Sequence, residues 1–161
     1  MNNTNLTGQL PLEFIPEPYL GKEDFMVAAC NHEAFALVDS WPAWPFFAIC
    51  VYGPEGCGKT HLATMFAHNV ANLANWPYKV PVVHAKDIRF ETLQLFEKCS
   101  CLIVEELSEN VDNEALFHLY NHYRNEGGYI LFTAAQAPAR TRFTLPDLQS
   151  RMNIVPSVAI N

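Results

Sequence analysis

The strongest chemical signal in the sequence is a short run that matches the pattern GxxxxGK[ST] and is followed by His61. Its residues are Gly53, Pro54, Glu55, Gly56, Cys57, Gly58, Lys59 and Thr60. In this pattern, turns that glycine permits aim backbone N–H groups at phosphates, the lysine reaches the outer phosphates, and the last hydroxyl binds Mg²⁺. We therefore predict that residues 53–61 bind ADP or ATP, with Lys59 on the phosphates and Thr60 on the magnesium ion.

Two adjacent acids, Glu105 and Glu106, form the second signal. They follow the apolar run 101–104, which predicts a buried strand. Acids at the carboxyl end of such a strand lie at the sheet edge where ligands bind in α/β folds. In P-loop enzymes the first acid holds Mg²⁺ and the second orients the attacking water. Because Glu105 stands where Asp is usual, the metal geometry changes, and we expect nucleotide binding with weak or no hydrolysis.

Predicted strands and helices alternate along the chain and place both signals at strand ends. Residues 46–52 predict a buried strand before the loop, and residues 61–70 a helix after it, whose N-terminus faces the anion. Residues 24–40 predict an entry strand or turn and a short helix. The later elements are strands at 80–85, 101–104, 129–133 and 153–160 and helices at 86–98, 112–126 and 145–152. This alternation predicts a three-layer α/β P-loop fold with a five-stranded parallel sheet.

Composition limits the classes of protein that fit. The 161 residues suffice for one domain with a sizeable core. The 17 acids outnumber the 10 Lys and Arg residues, which argues against a chain whose main task is to grip DNA phosphates. No long apolar run or leader is present, so we expect neither a membrane span nor a signal peptide, and reduced cysteines fit a cytoplasmic protein. The pairs Cys99/Cys101 and His118/His122 lack zinc-site patterns, and we expect structural roles for them.

Several motifs in a fixed order resemble the AAA+ module of the bacterial replication initiator DnaA. They are GPEGCGKTHLA, LIVEEL, NEALFHLYNHYRNEGGYILFTA and LPDLQSRM, preceded by EDFMVAACNHEAFALV, and together they cover roughly residues 9–160. The chain looks closer still to the short DnaA-related regulators of the Hda type, including those of alphaproteobacteria, because no helix-turn-helix domain follows. The resemblance implies an AAA+ core over residues 21–161, a role in switching off DnaA, and no direct sequence-specific DNA binding.

The resemblance also implies a specific role for Arg151. In LPDLQSRM it matches the arginine that AAA+ proteins present to a nucleotide bound on a neighbouring subunit. Such an arginine finger stabilises charge on the transferring phosphoryl group and accelerates hydrolysis by about 10³–10⁵. We expect Arg151 to act in trans on ATP bound to DnaA. From the residues alone, the alternative is a surface arginine that interacts favourably with the dipole of its own helix.

The N-terminal residues 1–20 lack helical periodicity and predict a flexible arm. Within them, Gln9, Leu10, Leu12 and Phe14 resemble the QxxLxF-type peptide that docks bacterial proteins on the sliding clamp of DNA polymerase III. The glutamine amide would form hydrogen bonds at a pocket rim while Leu12 and Phe14 fill an apolar cleft. The alternative is that these two side chains pack on their own domain.

Two features predict low turnover and leave other functions open. The position expected to sense the γ-phosphate holds the apolar Ala135, with only Thr133 or Gln136 to substitute. The small helical lid of AAA+ modules does not follow residue 160, either because it is naturally missing or because the sequence is truncated. An independent P-loop ATPase or small-molecule kinase is the first alternative; the kinase would need an arginine-rich acceptor lid. A DNA-bound helicase loader would need a basic face. A nucleotide-independent scaffold would have no use for the intact Lys59 and Thr60. The oligomeric state, including a homo-oligomer, stays open.

Overall fold

Helices and strands alternate through the chain. The computed structural model describes Glu13–Phe14, residues 29–73 and residues 79–161. The helices are α1 (His32–Asp39), α2 (Lys59–Leu73), α3 (Leu93–Glu97), α4 (Asn113–Glu126) and α5 (Pro146–Asn153). The strands are β1 (Glu13–Phe14), β2 (Ala48–Tyr52), β3 (Pro81–His84), β4 (Cys101–Leu107), β5 (Tyr129–Ala134) and β6 (Ser157–Ala159). Short 3₁₀ turns cover Ala85–Asp87, Phe90–Thr92 and Pro138–Arg140.

The strands form one sheet in the order β1-β3-β4-β5-β2-β6. Parallel pairing joins β3, β4, β5, β2 and β6, which confirms the predicted five-stranded parallel sheet. β1 adds a short antiparallel pair at the outer edge of β3, with Glu13 opposite Val82 and Phe14 opposite Pro81. β5 lies between β2 and β4, so the strand before the glycine-rich loop is separated by one strand from the strand that carries the two glutamates.

Two hydrophobic clusters cover the two faces of the sheet, because successive side chains of a strand point to opposite sides. In β2, Ala48 and Cys50 belong to one cluster, and Ile49 and Val51 belong to the other. The first cluster includes residues of α3, α4 and α5, whereas the second includes residues of α1 and α2. Burial of each large aliphatic side chain stabilises such a fold by about 1.5–3 kcal/mol. The sheet is therefore the middle layer of the predicted three-layer arrangement.

Capping residues determine where α4 begins and ends. The Asp112 side chain accepts a hydrogen bond from the Ala115 backbone N–H at 3.1 Å, and Gly127 follows the last turn with a left-handed φ of 75°. The Asp112 carboxylate also complements the positive end of the helix dipole. These two caps confirm the predicted helix and set the point where the chain turns back into β5.

The predicted helix at 86–98 is wrong in its first half, where 3₁₀ turns precede the short α3. Ile88 and Arg89 adopt extended conformations there, and the Thr92 hydroxyl accepts a hydrogen bond from the Arg89 backbone N–H at 3.0 Å. The break places Ile88 in the core, where it is fully buried. Core packing thus outweighs the helical propensity of this segment.

Strands β4 and β6 differ in length from the predicted strands. β4 continues to Leu107, past the predicted end at residue 104. β6 covers only Ser157–Ala159 of the predicted 153–160, because α5 continues through Asn153. The longer β4 places both glutamates inside the strand rather than after it.

Candidate nucleotide-binding site

The loop between β2 and α2 needs glycine at several positions. Gly56 and Gly58 have φ values of 77° and 106°, in the left-handed region that disfavours residues with a side chain. At Gly53, a Cβ atom would overlap the carbonyl oxygen of Ile160 and lie 2.9 Å from the Cys57 Sγ atom. The path of the backbone therefore requires the glycines of the sequence pattern.

Contacts with neighbouring strands anchor this loop at the carboxyl edge of the sheet. The Gly53 backbone N–H donates to the Ala134 carbonyl at the end of β5 at 3.1 Å. The Ile160 backbone N–H, just after β6, donates to the Tyr52 carbonyl at 2.8 Å. α2 begins at Lys59, and the first N–H groups of an α-helix have no partner within the helix. Such backbone donors at a helix N-terminus suit a phosphate group.

Lys59 lies inside the loop. It is only 8 % exposed, and its ammonium group donates to the carbonyl oxygens of Gly53 at 2.6 Å and Pro54 at 2.8 Å. These carbonyls satisfy a charge that would otherwise be costly to bury. Burial raises the pKa of the nearby Cys50 thiol well above its usual range, and the Lys59 charge partly opposes this rise. A phosphate bound by the loop would replace the two carbonyls as the acceptor of this ammonium group.

The other predicted nucleotide contacts lie at the surface of the loop or of the first helical turn. The exposed ones are Pro54, Glu55, Gly56 and Thr60, and the half-buried ones are Cys57, Gly58 and His61. Thr60 follows Lys59 in the first turn of α2, so its hydroxyl is accessible to a ligand held by the loop. A hydroxyl oxygen is a hard donor that suits Mg²⁺.

Glu105 and Glu106 form a bulge within β4. Pairing with β5 is regular up to Val104 and resumes at Leu107, with a shift in register between them. Glu106 has a φ of 58°, a left-handed conformation uncommon for residues with a side chain, and its backbone N–H donates to the Thr133 Oγ1 atom at 3.3 Å. Glu105 is half-buried and Glu106 is exposed. Bulges of this kind redirect side chains beside functional sites.

The carboxyl edge of the sheet collects groups from four neighbouring strands. The loop follows β2, the two glutamates lie on β4, Thr133 lies near the end of β5, and His84 ends β3. Neighbouring strands lie about 4.8 Å apart, which puts the β4 acids about 10 Å from the axis of β2. The glycine cradle, the Thr60 hydroxyl and the Glu105 carboxylate make a donor set that fits a nucleotide with Mg²⁺.

Two further polar residues, His84 and Thr133, lie at this edge. The sequence pattern does not single out His84, and it indicates Thr133 only as a candidate sensor of the γ-phosphate. His84 lies opposite Glu105 in the sheet register, and its Nδ1 atom is buried without a hydrogen-bond partner in the described part of the chain. Its only sequence signal is its position as a polar residue at the end of a predicted strand. Thr133 is 2 % exposed and is engaged with the bulge, whereas Ala135 and Gln136 are exposed beyond β5.

Arg151 lies at the opposite edge of the sheet from the loop. It is in the last turn of α5, and the chain then enters β6, where Ser157 pairs with Cys50 and Ala159 with Tyr52. Because β6 runs parallel to β2 and toward the loop, α5 ends at the amino edge. At about 3.3 Å per residue, the length of β6 alone separates Arg151 from the loop by about 10 Å. The structure therefore does not bring Arg151 together with the nucleotide loop of its own chain.

Other predicted sites have simple placements. Gln9, Leu10 and Leu12 lie outside the described residues, and only the backbone of Phe14 is described, within β1. All five cysteines are free thiols. In residues 29–73 and 79–161, no three His, Cys, Asp or Glu side chains are grouped so as to hold a metal ion. Among the described helices, none is long and apolar enough to cross a membrane.

The sheet order, the glycine-dependent loop and the buried Lys59 together define a P-loop domain of the α/β class. Within that class, a family model described as RNA helicase matches residues 49–146, more than half of the sequence, and the chain belongs to this family. The match runs from β2 through the loop, the two glutamates and α4 to the start of α5.

In sequence, the chain is similar to bacterial chromosomal replication initiator proteins DnaA. It is 28 % identical to DnaA of Neisseria meningitidis over 167 residues, which are 93 % of this chain and 30 % of that protein. It is also 28 % identical to DnaA 2 of Chlamydia caviae over 168 residues, 91 % of this chain and 36 % of that protein. The chain thus spans about a third of the length of these relatives.

Solved structures of DnaA share the fold. AMPPCP-bound DnaA from Aquifex aeolicus superimposes with a TM-score of 0.76 at 20 % identity, over 90 % of this chain and 51 % of that one. Domain III of the Thermotoga maritima initiator gives a TM-score of 0.77 at 19 % identity, over 94 % and 69 % of the two chains. A primosome component from Streptococcus pyogenes gives 0.67 at 17 % identity, over 91 % and 90 %.

Proposed function

We propose that this chain is a nucleotide-binding regulator of replication initiation, related to DnaA, that promotes ATP hydrolysis on DnaA through Arg151 and docks on the sliding clamp. The observation that carries the proposal is the P-loop with Lys59 at its centre, in a chain similar to DnaA over 93 % of its length. The relatives act in initiation by name, which supports a replication-related role.

Nucleotide binding would change the hydrogen-bond acceptors of Lys59. Lys59 would give up the Gly53 and Pro54 carbonyls and donate instead to the outer phosphates of ADP or ATP. The Thr60 hydroxyl and the Glu105 carboxylate would hold Mg²⁺, which supplies charge neutralisation at the phosphates when bound. An AMPPCP-bound relative with the same fold supports a nucleotide at this loop.

Slow hydrolysis in this chain follows from the groups around the loop. Glu106, the residue assigned to orient water, lies exposed on a bulge in a left-handed conformation. Ala135 supplies no polar group after β5, and the Thr133 hydroxyl is engaged with the bulge. Nucleotide would therefore persist on the loop and act as a binding signal rather than as a substrate.

The action on DnaA requires an arginine directed away from its own nucleotide. Arg151, at the amino edge, is on the far side of the sheet from the loop and half-buried rather than covered. This placement supports action in trans on ATP held by a neighbouring protein. The clamp role of Gln9, Leu10, Leu12 and Phe14 rests on the sequence resemblance.

Calorimetric titration with Mg²⁺-ADP and Mg²⁺-ATP tests nucleotide binding. We expect saturable binding of at least one nucleotide by the natural chain and none by Lys59→Ala, because the substitution removes the phosphate donor. Lys79→Ala is the matched control, since Lys79 is exposed and precedes β3 at the amino edge. Equal affinity of the natural chain and Lys59→Ala would contradict the assignment of the loop.

Stimulated ATP hydrolysis by purified DnaA tests the regulatory role. The natural chain should accelerate hydrolysis, and Arg151→Ala should abolish the acceleration while leaving ADP affinity unchanged, because Arg151 is remote from the loop. Persistent stimulation by Arg151→Ala would refute the arginine-finger role.

The family match favours a second candidate, a P-loop ATPase driven by single-stranded nucleic acid. It predicts that single-stranded RNA or DNA accelerates ATP hydrolysis by the chain alone. The net charge of −7 weakens this candidate, because nucleic-acid binding depends on cationic contacts with phosphates. Turnover of the chain alone, with and without a single-stranded oligonucleotide, separates the two functions.

A further inference from the structure

The hydroxyl of Tyr120 is an unusual feature of the amino edge. Tyr120 lies on α4 with 0 % exposure, and its ring packs edge to face on Phe47 at a centroid distance of 4.8 Å. Its Oη atom is buried and has no hydrogen-bond partner among the described residues. An unpaired buried hydroxyl costs folding free energy. Its presence in the core therefore indicates a function other than stabilising the fold.

Two arginines lie in the last turns of α4, the helix that carries Tyr120, and of α5, the helix packed beside it. Arg124 follows Tyr120 by one turn of α4, so both side chains lie on the same side of the helix. Arg151 comes from the last turn of α5, which packs beside α4 on the same face of the sheet. Burial raises the pKa of Tyr120, and the charges of Arg151 and Arg124 both oppose the rise. Both guanidinium groups therefore lie within electrostatic reach of one buried oxygen.

Only these two of the five arginines lie at the amino edge. Arg89 follows the carboxyl end of β3, and Arg140 and Arg142 follow that of β5. α4 and α5 instead run back to the amino edge and end there, each with one arginine in its last turn. A favourable interaction with the helix dipole explains a cation at each end, but it does not explain the unpaired hydroxyl between them.

We propose that Arg124 and Arg151 together form a phosphate-recognition site, in which the Tyr120 hydroxyl is a positioning residue for the Arg151 guanidinium. The phosphate is the terminal one of a nucleotide bound on the neighbouring protein, so the proposal rests on the proposed function. When phosphate binds, one N–H of Arg151 would donate to the Tyr120 Oη atom, which has no partner among the described residues, and the outer side of the guanidinium fork would contact the phosphate. Arg124 supplies the second positive charge.

Phosphate titration followed by NMR tests the site without DnaA. The probe is sodium tripolyphosphate, added to the Lys59→Ala chain so that the loop does not bind it, and the arginine Nε–Hε signals are followed. The signals of Arg124 and Arg151 should shift with one common dissociation constant. Arg124→Gln should raise the dissociation constant for tripolyphosphate roughly fivefold, which is the scale of one exposed charge pair. Tyr120→Phe should raise the same constant about twofold.

Arg140→Gln is the matched control, because Arg140 is an exposed arginine at the other edge of the sheet. Its substitution should leave the constant unchanged. An Arg124 signal that moves no more than that of Arg140, or a constant unaffected by Arg124→Gln, would overturn the proposal. Acetate at equal ionic strength is the second arm: equal shifts with acetate would show a general oxyanion contact and overturn the assignment to phosphate.

Stimulation of DnaA provides the second test. Arg124→Gln should lower the stimulated rate, and Arg124→Lys should restore part of it because the charge is kept. Tyr120→Phe should lower the rate while the melting temperature stays the same or rises, since the lost hydroxyl has no partner in the fold. If Tyr120→Phe lowers both the stimulated rate and the melting temperature, the hydroxyl has a structural role, and its proposed role in positioning Arg151 is overturned. If the natural chain does not stimulate DnaA at all, the proposed function fails, and the phosphate titration alone decides whether the site exists.

Discussion

The left-handed conformation of Glu106 makes a quantitative prediction for Glu106→Gly. An L-residue in this region costs about 1–2 kcal/mol relative to a favoured conformation, whereas glycine adopts it freely. Glycine loses about 0.5–1 kcal/mol in conformational entropy on folding. The backbone N–H that bonds to the Thr133 Oγ1 atom is kept, so no contact of the bulge is lost. We expect Glu106→Gly to raise the free energy of unfolding by about 0.5–1 kcal/mol.

Urea unfolding, followed by circular dichroism, measures this difference, and thermal unfolding gives a second readout. A gain of that size corresponds to a melting temperature higher by about 1–4 °C in a chain of this length. The denaturant slope should stay constant, because the substitution does not change how much surface unfolds.

Glu105→Gly is the matched control at the neighbouring position. Glu105 is half-buried and keeps regular pairing with His84, so glycine there should destabilise the fold by about 0.5–1 kcal/mol. Thr133→Val tests the other half of the bulge and should cost about 0.5–1.5 kcal/mol, because the Glu106 N–H loses its acceptor. If Glu106→Gly destabilises the chain as much as Glu105→Gly does, the bulge carries no backbone strain and the reasoning is refuted.

Three further predictions concern the arm, the loop and the core. Leu12→Ala combined with Phe14→Ala should weaken clamp binding in a pull-down or calorimetric assay and leave ADP affinity unchanged. If the double variant binds the clamp as tightly as the unsubstituted chain, the N-terminal arm is not the clamp-binding segment. Bound ADP should slow alkylation of Cys57 by iodoacetamide, because its Sγ atom lies 3.8 Å from the Lys59 Nζ atom in the loop; Cys57→Ser distinguishes this adduct from labelling of the exposed Cys30. Burial raises the pKa of Cys101 from 9.0 to about 12. As the pH rises above 9, the unfolded chain therefore loses this proton while the folded chain keeps it. The free energy of unfolding should fall by about 1.4 kcal/mol at pH 10 for this thiol. Cys101→Ala should flatten that slope in unfolding measured from pH 8 to 10.

The loop could be predicted from the sequence because its requirements are local. Gly56 and Gly58 are needed by the backbone conformation itself, and Lys59 follows them at a set distance along the chain. The alternation of apolar runs likewise predicts the parallel sheet, since buried strands and amphipathic helices each follow a fixed period. These features do not depend on which distant segments come together.

The features that the sequence does not predict depend on contacts between segments distant along the chain. Nothing in the sequence predicts a left-handed Glu106, because the bulge arises where β4 resumes pairing with β5, and Thr133 stabilises it from there. The placement of Arg151 beside the helix that carries Tyr120 likewise needs α4 and α5 side by side. The break at Ile88 follows from core packing that outweighs local propensity.

The placement of the site has a consequence for assembly. The P-loop lies at the carboxyl edge of the sheet, and Arg124 and Arg151 lie at the amino edge, so a nucleotide bound by the loop would lie on one side of the chain and the arginines on the other. A partner whose nucleotide meets these arginines must turn its own carboxyl edge toward this chain's amino edge. That contact is head-to-tail, since the two surfaces differ, and it does not close on itself in a dimer. An assembly of this kind would leave a nucleotide bound to this chain accessible to a further arginine-bearing neighbour. The opposite edges would thus make the proposed nucleotide binding and the proposed phosphate recognition separable. We expect Lys59→Ala to abolish the first without affecting the second, and Arg124→Gln to weaken the second without affecting the first.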